Sequence, residues 1–162
     1  MMTHAIRGGL IGLVIGALII FWGHNAHADS VNIGFGPSMD GDTNPKYGSI
    51  EVEKDWGDFA LVGNLTGIFA GPAFAVVSII PSIKVVTPSG LFLRGGVGPA
   101  YTTQVNDRLS SPAQINIEMA GGLWNPMGEV GVKGDHWSNG SIVGGGPNLG
   151  ADTLQAYLGV HF

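Results

Sequence analysis

From residue 31 to its last residue the chain alternates. In VNIGF, Val31, Ile33 and Phe35 fall on one side of an extended backbone. In GSIEVEKD, Ile50 and Val52 oppose Ser49, Glu51, Glu53 and Asp55. LFLRGGVGPAY sets Leu91, Leu93 and Val97 against Arg94 and a row of glycines, and QINIEMAGGL sets Ile115, Ile117, Met119 and Leu123 against Gln114, Asn116 and Glu118. In MGEVGVKGDHWS, Val130 and Val132 oppose Glu129, Lys133 and Asp135. The closing TLQAYLGVHF opposes Leu154, Ala156, Leu158, Val160 and Phe162 to Thr153, Gln155, Tyr157 and His161. A period of two over runs of this length marks strands with one apolar face. Two central segments, DFALVGNLTGIF and GPAFAVVSIIPSIKVVT, are apolar on both faces, and alternation alone does not orient them.

The pattern predicts eight strands, at 31–35, 47–55, 58–69, 72–87, 91–103, 113–123, 127–138 and 152–162. Connections after the second, fourth and sixth are tight (WG, PSG, NP). Those after the first, fifth and seventh are long (GPSMDGDTNPK, QVNDRLSSP, NGSIVGGGPNLGA), while the link after the third, near AGP, is short. A soluble barrel would bury the apolar face; a transmembrane barrel turns it outward. The polar face carries Glu51, Glu53, Asp55, Arg94, Glu118, Glu129, Lys133 and Asp135, mixed in sign and interleaved with glycine. Such a face suits a narrow lumen filled by paired charges. An even strand number, short turns at one end and long loops at the other belong to bacterial outer-membrane barrels, whose closure leaves no unpaired backbone edge in lipid. The chain also ends on an aromatic, Phe162, on the apolar face. The expected fold is therefore all-β: one eight-stranded antiparallel transmembrane barrel. With both termini periplasmic, the 139–151 loop faces the cell exterior.

The first thirty residues read differently. A short head with Arg7 precedes an apolar run from Gly8 to Trp22 and a small-x-small site at Ala26-His27-Ala28. That is the order of a secretory signal peptide, with cleavage expected after Ala28. A retained anchor is the alternative, but the run is short against the roughly 20 apolar residues a spanning helix needs. The barrel domain is then 29–162. It holds six of the seven Lys/Arg and all twelve Asp/Glu, a balance opposed to nucleic-acid binding. Having no cysteine, the chain has neither disulfides nor a thiolate nucleophile or metal ligand.

Chemistry concentrates in GDHWSNGSIVGGGPNLGAD. His136 and Ser138 are two apart and share a face in an extended strand; the count back places them with Val130 and Val132. Asp152 shares parity with Leu154 to Phe162. All three polar side chains thus fall on the lipid face of adjacent strands near the rim, where polarity costs stability. A serine hydroxyl becomes a nucleophile when an imidazole takes its proton and a carboxylate orients the imidazole. Past residue 28 the histidines are His136 and His161 alone, and of these His136 has a serine one same-face step away. Asn139, Asn148 and the GGG amides are candidate donors to an oxyanion. An acyl substrate reaching such a site is a lipid.

At these residues the chain resembles the lipid A 3-O-deacylases (PagL-like), eight-stranded outer-membrane barrels with a His-x-Ser-Asn run followed by Pro-Asn-x-Gly-x-Glu. Here the two halves read His136-Trp137-Ser138-Asn139 and Pro147-Asn148-Leu149-Gly150-Ala151-Asp152. The resemblance implies Ser138 as nucleophile, His136 as general base, Asp152 as orienting acid and Asn139 and Asn148 as support. It also implies hydrolysis of the 3-hydroxyacyl ester at position 3 of lipid A, with lipopolysaccharide as substrate and neither metal nor cofactor. Two departures stand out: Asp152 where the family has Glu, and a longer intervening loop with extra glycine at 144–146. A homodimer is compatible with the sequence.

Plainer readings run alongside. HWSNG also suits a rim turn, and Asp152 an ordinary loop acid. His161 is expected to face the lumen as a structural residue, and Glu129, Lys133 and Asp135 to form a lumen charge network. Trp56, Trp124 and Trp137 are assigned to interfacial belts or interior packing. Two other functions stay open: a non-catalytic small outer-membrane barrel with a structural or adhesion role, and a soluble exported barrel holding an apolar ligand.

Overall fold

The computed structural model describes residues 29–39, 46–68, 75–103, 109, 111–139 and 150–162. Residues 1–28, where the leader is expected, Asn148 and the glycines at 144–146 lie outside the described residues. Eight strands follow one another: β1 (Ser30–Pro37), β2 (Lys46–Trp56), β3 (Phe59–Ile68), β4 (Ala75–Val86), β5 (Leu91–Thr102), β6 (Ala113–Asn125), β7 (Gly128–Ser138) and β8 (Ala151–His161). Every neighbouring pair is antiparallel, and β8 returns to β1 to close the barrel. From β2 onward the strands span 10 to 13 residues, enough to cross a hydrocarbon core at the tilt barrels adopt.

Turn chemistry sets the register at one end. Trp56 pairs with Phe59 across a two-residue turn in which Gly57 has φ +80°, the left-handed backbone that hairpin turns of this length require. Asn125 pairs with Gly128 across Pro126-Met127, where the Asn125 side-chain carbonyl accepts the Met127 N–H at 2.8 Å, an Asx turn. Because side chains alternate across a strand, that register decides the facing of every residue beyond it.

The apolar positions face out. Ile33, Leu93, Met119, Val132 and Leu158 are each more than half exposed, as a lipid-facing wall demands. The two segments apolar on both faces become β3 and β4. Val62, Val76 and Ile80 turn inward and are fully buried, while Phe59, Ile79 and Ile83 turn out. Alternation failed there because Ala60, Val62, Val76 and Ile80 set aliphatic side chains among the polar ones that line this sector of the lumen.

Elsewhere the lumen is a charge network. Arg94 donates to Glu51 at 3.0 Å, to Glu118 at 2.7 Å and to Glu53. Lys84 bridges Glu53 at 2.8 Å and Glu129 at 2.7 Å. Lys133 pairs with Glu51 and with Asp135, the latter at 3.3 Å, and Asp135 also accepts from Asn64 and Asn116. Glu129, Lys133 and Asp135 are therefore members of this network. Buried charges are tolerated when they are paired and hydrogen-bonded.

Apolar layers cap the network at both ends. Toward the long loops lie Tyr47, Val76, Ala100, Leu109, Trp137 and Ala151; toward the short turns lie Phe92, Ala120 and Tyr157, with Trp124 packed against them. Trp137 and Trp124 thus belong to interior packing, while Trp56 is half exposed. His161 turns inward, its ring 5.4 Å from that of Trp124 and its Nε2 3.6 Å from Glu129.

Candidate active site

β7 ends at the loop end of the wall, and its last outward positions are His136 and Ser138. Trp137 between them points inward and is fully buried against Tyr47, with ring centroids 6.2 Å apart. That anchor fixes which way its neighbours look: His136 and Ser138 stand on the outer surface, half-buried. β8 begins at Ala151, and the register sets Asp152 directly opposite His136. Directly opposed side chains are close enough to touch across an antiparallel pair. Here His136 Nδ1 and Asp152 Oδ1 are 2.7 Å apart.

The pairing assigns the ring chemistry. A carboxylate accepts, so Nδ1 carries the proton and Nε2 is the nitrogen left to act as a base. Side-chain exposures of 39% for His136 and 47% for Asp152 keep the pair open to what approaches the wall, unlike the sealed lumen charges. Ser138 shares the outward face one step further along β7, opposite Ile115 on β6. The fold brings it beside the pair but not into a hydrogen bond with the ring. Asn139 follows directly and is buried.

The backbone of Asp152 is held from both sides. Besides β7, the two residues that follow β1 reach it: Met39 N–H donates to Asp152 O at 3.0 Å, and Ser38 Oγ donates to the same oxygen at 3.4 Å. No local sequence signal marks this contact, because it spans more than a hundred residues and depends on closure of the barrel.

Gly150 entered the sequence reading only as one member of the Pro147-to-Asp152 run, and its role is set by the structure. It has φ +70°, and a Cβ on it would lie 2.8 Å from His136 Cε1, 3.4 Å from Nε2 and 3.1 Å from the Trp137 carbonyl oxygen. A side chain is therefore excluded twice, by backbone conformation and by the imidazole edge. Gly150→Ala is expected to displace the ring from Asp152 and lower any His136-dependent turnover at least about tenfold, given how steeply rates fall with ångström misplacement. Turnover together with the imidazole NMR shift of His136 checks this, since mere loosening of the loop would leave the shift unchanged.

Comparison with solved structures places the barrel among outer-membrane proteins. The crystal structure of the outer membrane enzyme PagL matches with a TM-score of 0.71 at 18% identity, over 81% of this chain and 98% of that one. Neisserial surface protein A matches at 0.57 and 13% identity, over 86% and 100%. The Yersinia pestis outer membrane protein Ail, solved in a phospholipid bilayer nanodisc, matches at 0.52 and 14% identity, over 84% and 100%. These likenesses concern the fold. No curated protein matches the sequence. The model of the family described as lipid A 3-O-deacylase (PagL) matches residues 11–161. Spanned by that match over nearly its whole length, the chain belongs to the lipid A 3-O-deacylase (PagL) family of ester hydrolases.

Proposed function

We propose that Ser138, His136 and Asp152 act as a triad that hydrolyses the 3-hydroxyacyl ester at position 3 of lipid A, from the lipid-facing wall of an outer-membrane barrel. The observation that carries this reading is the 2.7 Å His136–Asp152 hydrogen bond between outward-facing side chains. A polar pair on an apolar wall costs stability, and this one engages Nδ1 of the ring, leaving Nε2 outside the bond to Asp152. The leader is read as cleaved after Ala28, and the loop end of the barrel as the outer leaflet side.

The steps follow from the pairing. In the proposed triad Ser138 Oγ gives its proton to Nε2. The oxygen attacks the ester carbonyl, and donors near the strand end stabilise the oxyanion; Asn139, Asn148 and backbone amides of the 139–151 loop are the candidates. Collapse breaks the bond to the sugar oxygen, which leaves with the proton held on Nε2. Water, deprotonated by the same nitrogen, then releases the 3-hydroxy acid from Ser138. Asp152 stays ionised throughout and steadies the imidazolium.

Mass spectrometry of lipid A from cells with and without the expressed protein tests the reading directly. The expected result is loss of one 3-hydroxyacyl group and appearance of the free acid. Unchanged lipid A alongside a folded, membrane-inserted barrel would leave a structural or adhesion role in its place. Asp152→Asn keeps the shape but removes the charge and favours the wrong tautomer, so kcat should drop on the order of 100-fold or more. Asp152→Glu restores the charge and should retain far more activity than the amide.

A further inference from the structure

The pairing of β1 with β8 runs as far as Phe35 opposite Ala156 and resumes in the same register with Ser38 opposite Thr153, so that Met39 falls opposite Asp152. Asp152 in turn stands opposite His136. Between the two paired stretches β1 lies so near β8 that a Cβ on Gly36 would stand 1.9 Å from the Leu154 carbonyl oxygen. Every second amide of β1 faces β8, as an antiparallel ladder requires. On that count the rung before Met39 falls on Pro37, which has no N–H to give. The Met39 N–H, donating to Asp152 O at 3.0 Å, is therefore the first amide past Pro37 that this side can offer to β8.

Where that amide lands matters because of the residue it holds. Asp152 is the second residue of β8, two past Gly150 with its φ of +70°. The termini of an element are held least firmly. An aspartate has little means of absorbing a displacement there. Once χ1 occupies one of its staggered wells, the carboxylate carbon is fixed relative to the main chain, and χ2 only spins the oxygens. A glutamate, with one more torsion, can follow a shifted main chain. The 2.7 Å bond from Asp152 to His136 Nδ1 thus depends on where the main chain of residue 152 lies, and β7 fixes it from one side alone.

We propose that the Met39 amide is a positioning group for the acid of the triad: it pins the Asp152 main chain from the β1 side, so that a side chain one methylene shorter than the family's glutamate keeps its hold on His136. The proposal rests on the deacylase reading above. The Met39 side chain is more than half exposed on the outer wall, so the role belongs to its N–H. Ser38 Oγ, 3.4 Å from the same carbonyl oxygen, adds a second and longer bond. Neither group touches substrate. Both act through Asp152, and because rates fall steeply when a catalytic group is misplaced by about an ångström, their effect belongs in kcat.

The test reads kcat and KM for release of the 3-hydroxy acid from lipid A. Met39→Pro deletes the N–H past the end of β1 and biases Ser38 toward the extended backbone that its pairing with Thr153 already calls for. It should lower kcat about tenfold or more with KM little changed. Met39→Ala, which keeps the amide, should lose far less. In an Asp152→Glu background the added torsion takes up the displacement, and Met39→Pro should cost much less than it costs the native chain. The proposal is overturned by a Met39→Pro protein with native kcat, by an equal loss in Met39→Ala, or by an equal loss in both backgrounds. A second measurement needs no turnover: the imidazole 15N resonances of His136 in the Ser138→Ala barrel. Asp152 holds the proton on Nδ1 and so keeps the two nitrogens far apart in shift. Met39→Pro should draw them together as the tautomers mix, and resonances left in place in a folded barrel reject the tether. Should the native protein release no acid while these resonances still respond, the deacylase reading falls and the tether stands.

Discussion

Ser138→Ala will suppress release of 3-hydroxy fatty acid from lipopolysaccharide by at least about a thousandfold, the scale on which removal of a triad nucleophile acts. The barrel itself should be untouched. Ser138 lies at the last position of β7, half-buried on the outer face, and contributes nothing to the lumen network. Loss of one hydroxyl there leaves no buried partner stranded. A sharper check follows from the triad acting as a unit: His136→Ala added to Ser138→Ala should cost almost nothing further. Activity surviving in Ser138→Ala, with native migration on an unboiled gel, would remove the serine mechanism altogether.

Arg94→Met carries the other large effect, and it is on stability. Arg94 is fully buried and serves Glu51, Glu53 and Glu118 together. Removing one partner of a buried ion pair typically costs about 3–5 kcal/mol because the remaining charge is left uncompensated. Three carboxylates share this cation, so the loss should reach at least that range. Urea unfolding in detergent, or the temperature at which the folded gel band disappears, reads it out. Adding Glu118→Gln should recover part of the loss by removing one orphaned charge. A barrel as stable as the native one after Arg94→Met would mean that the lumen charges are hydrated and not tied to this guanidinium. Activity per folded molecule should change far less than stability, since the network and the His136 pair lie on opposite faces of the wall.

Much of the architecture was legible beforehand. Strand number matched, and the predicted limits differ from the observed ones by at most three residues, the largest offset being the start of β4 at Ala75. Facing was correct wherever one side was charged, because a residue such as Glu118 or Lys133 has only one place to go in a wall bathed by lipid. It was undetermined in β3 and β4, where Val62 and Ile80 are as apolar as the residues that face out. At the site, the parity of His136, Ser138 and Asp152 was readable from spacing. The approach of Met39 to the Asp152 carbonyl and the seat of Gly150 against the ring were not.

What the sequence determined alone is whatever a period of two can encode: which residues share a face, how many strands there are, and that two polar positions near the end of β7 and one at the start of β8 look outward. Local alternation is a one-dimensional property and survives being read without neighbours. The tertiary structure decided everything that depends on register between strands. Whether His136 stands opposite Asp152 or one residue away is set by the turns and by closure of β8 on β1, and a one-residue slip would have put the imidazole and the carboxylate on opposite sides of the wall.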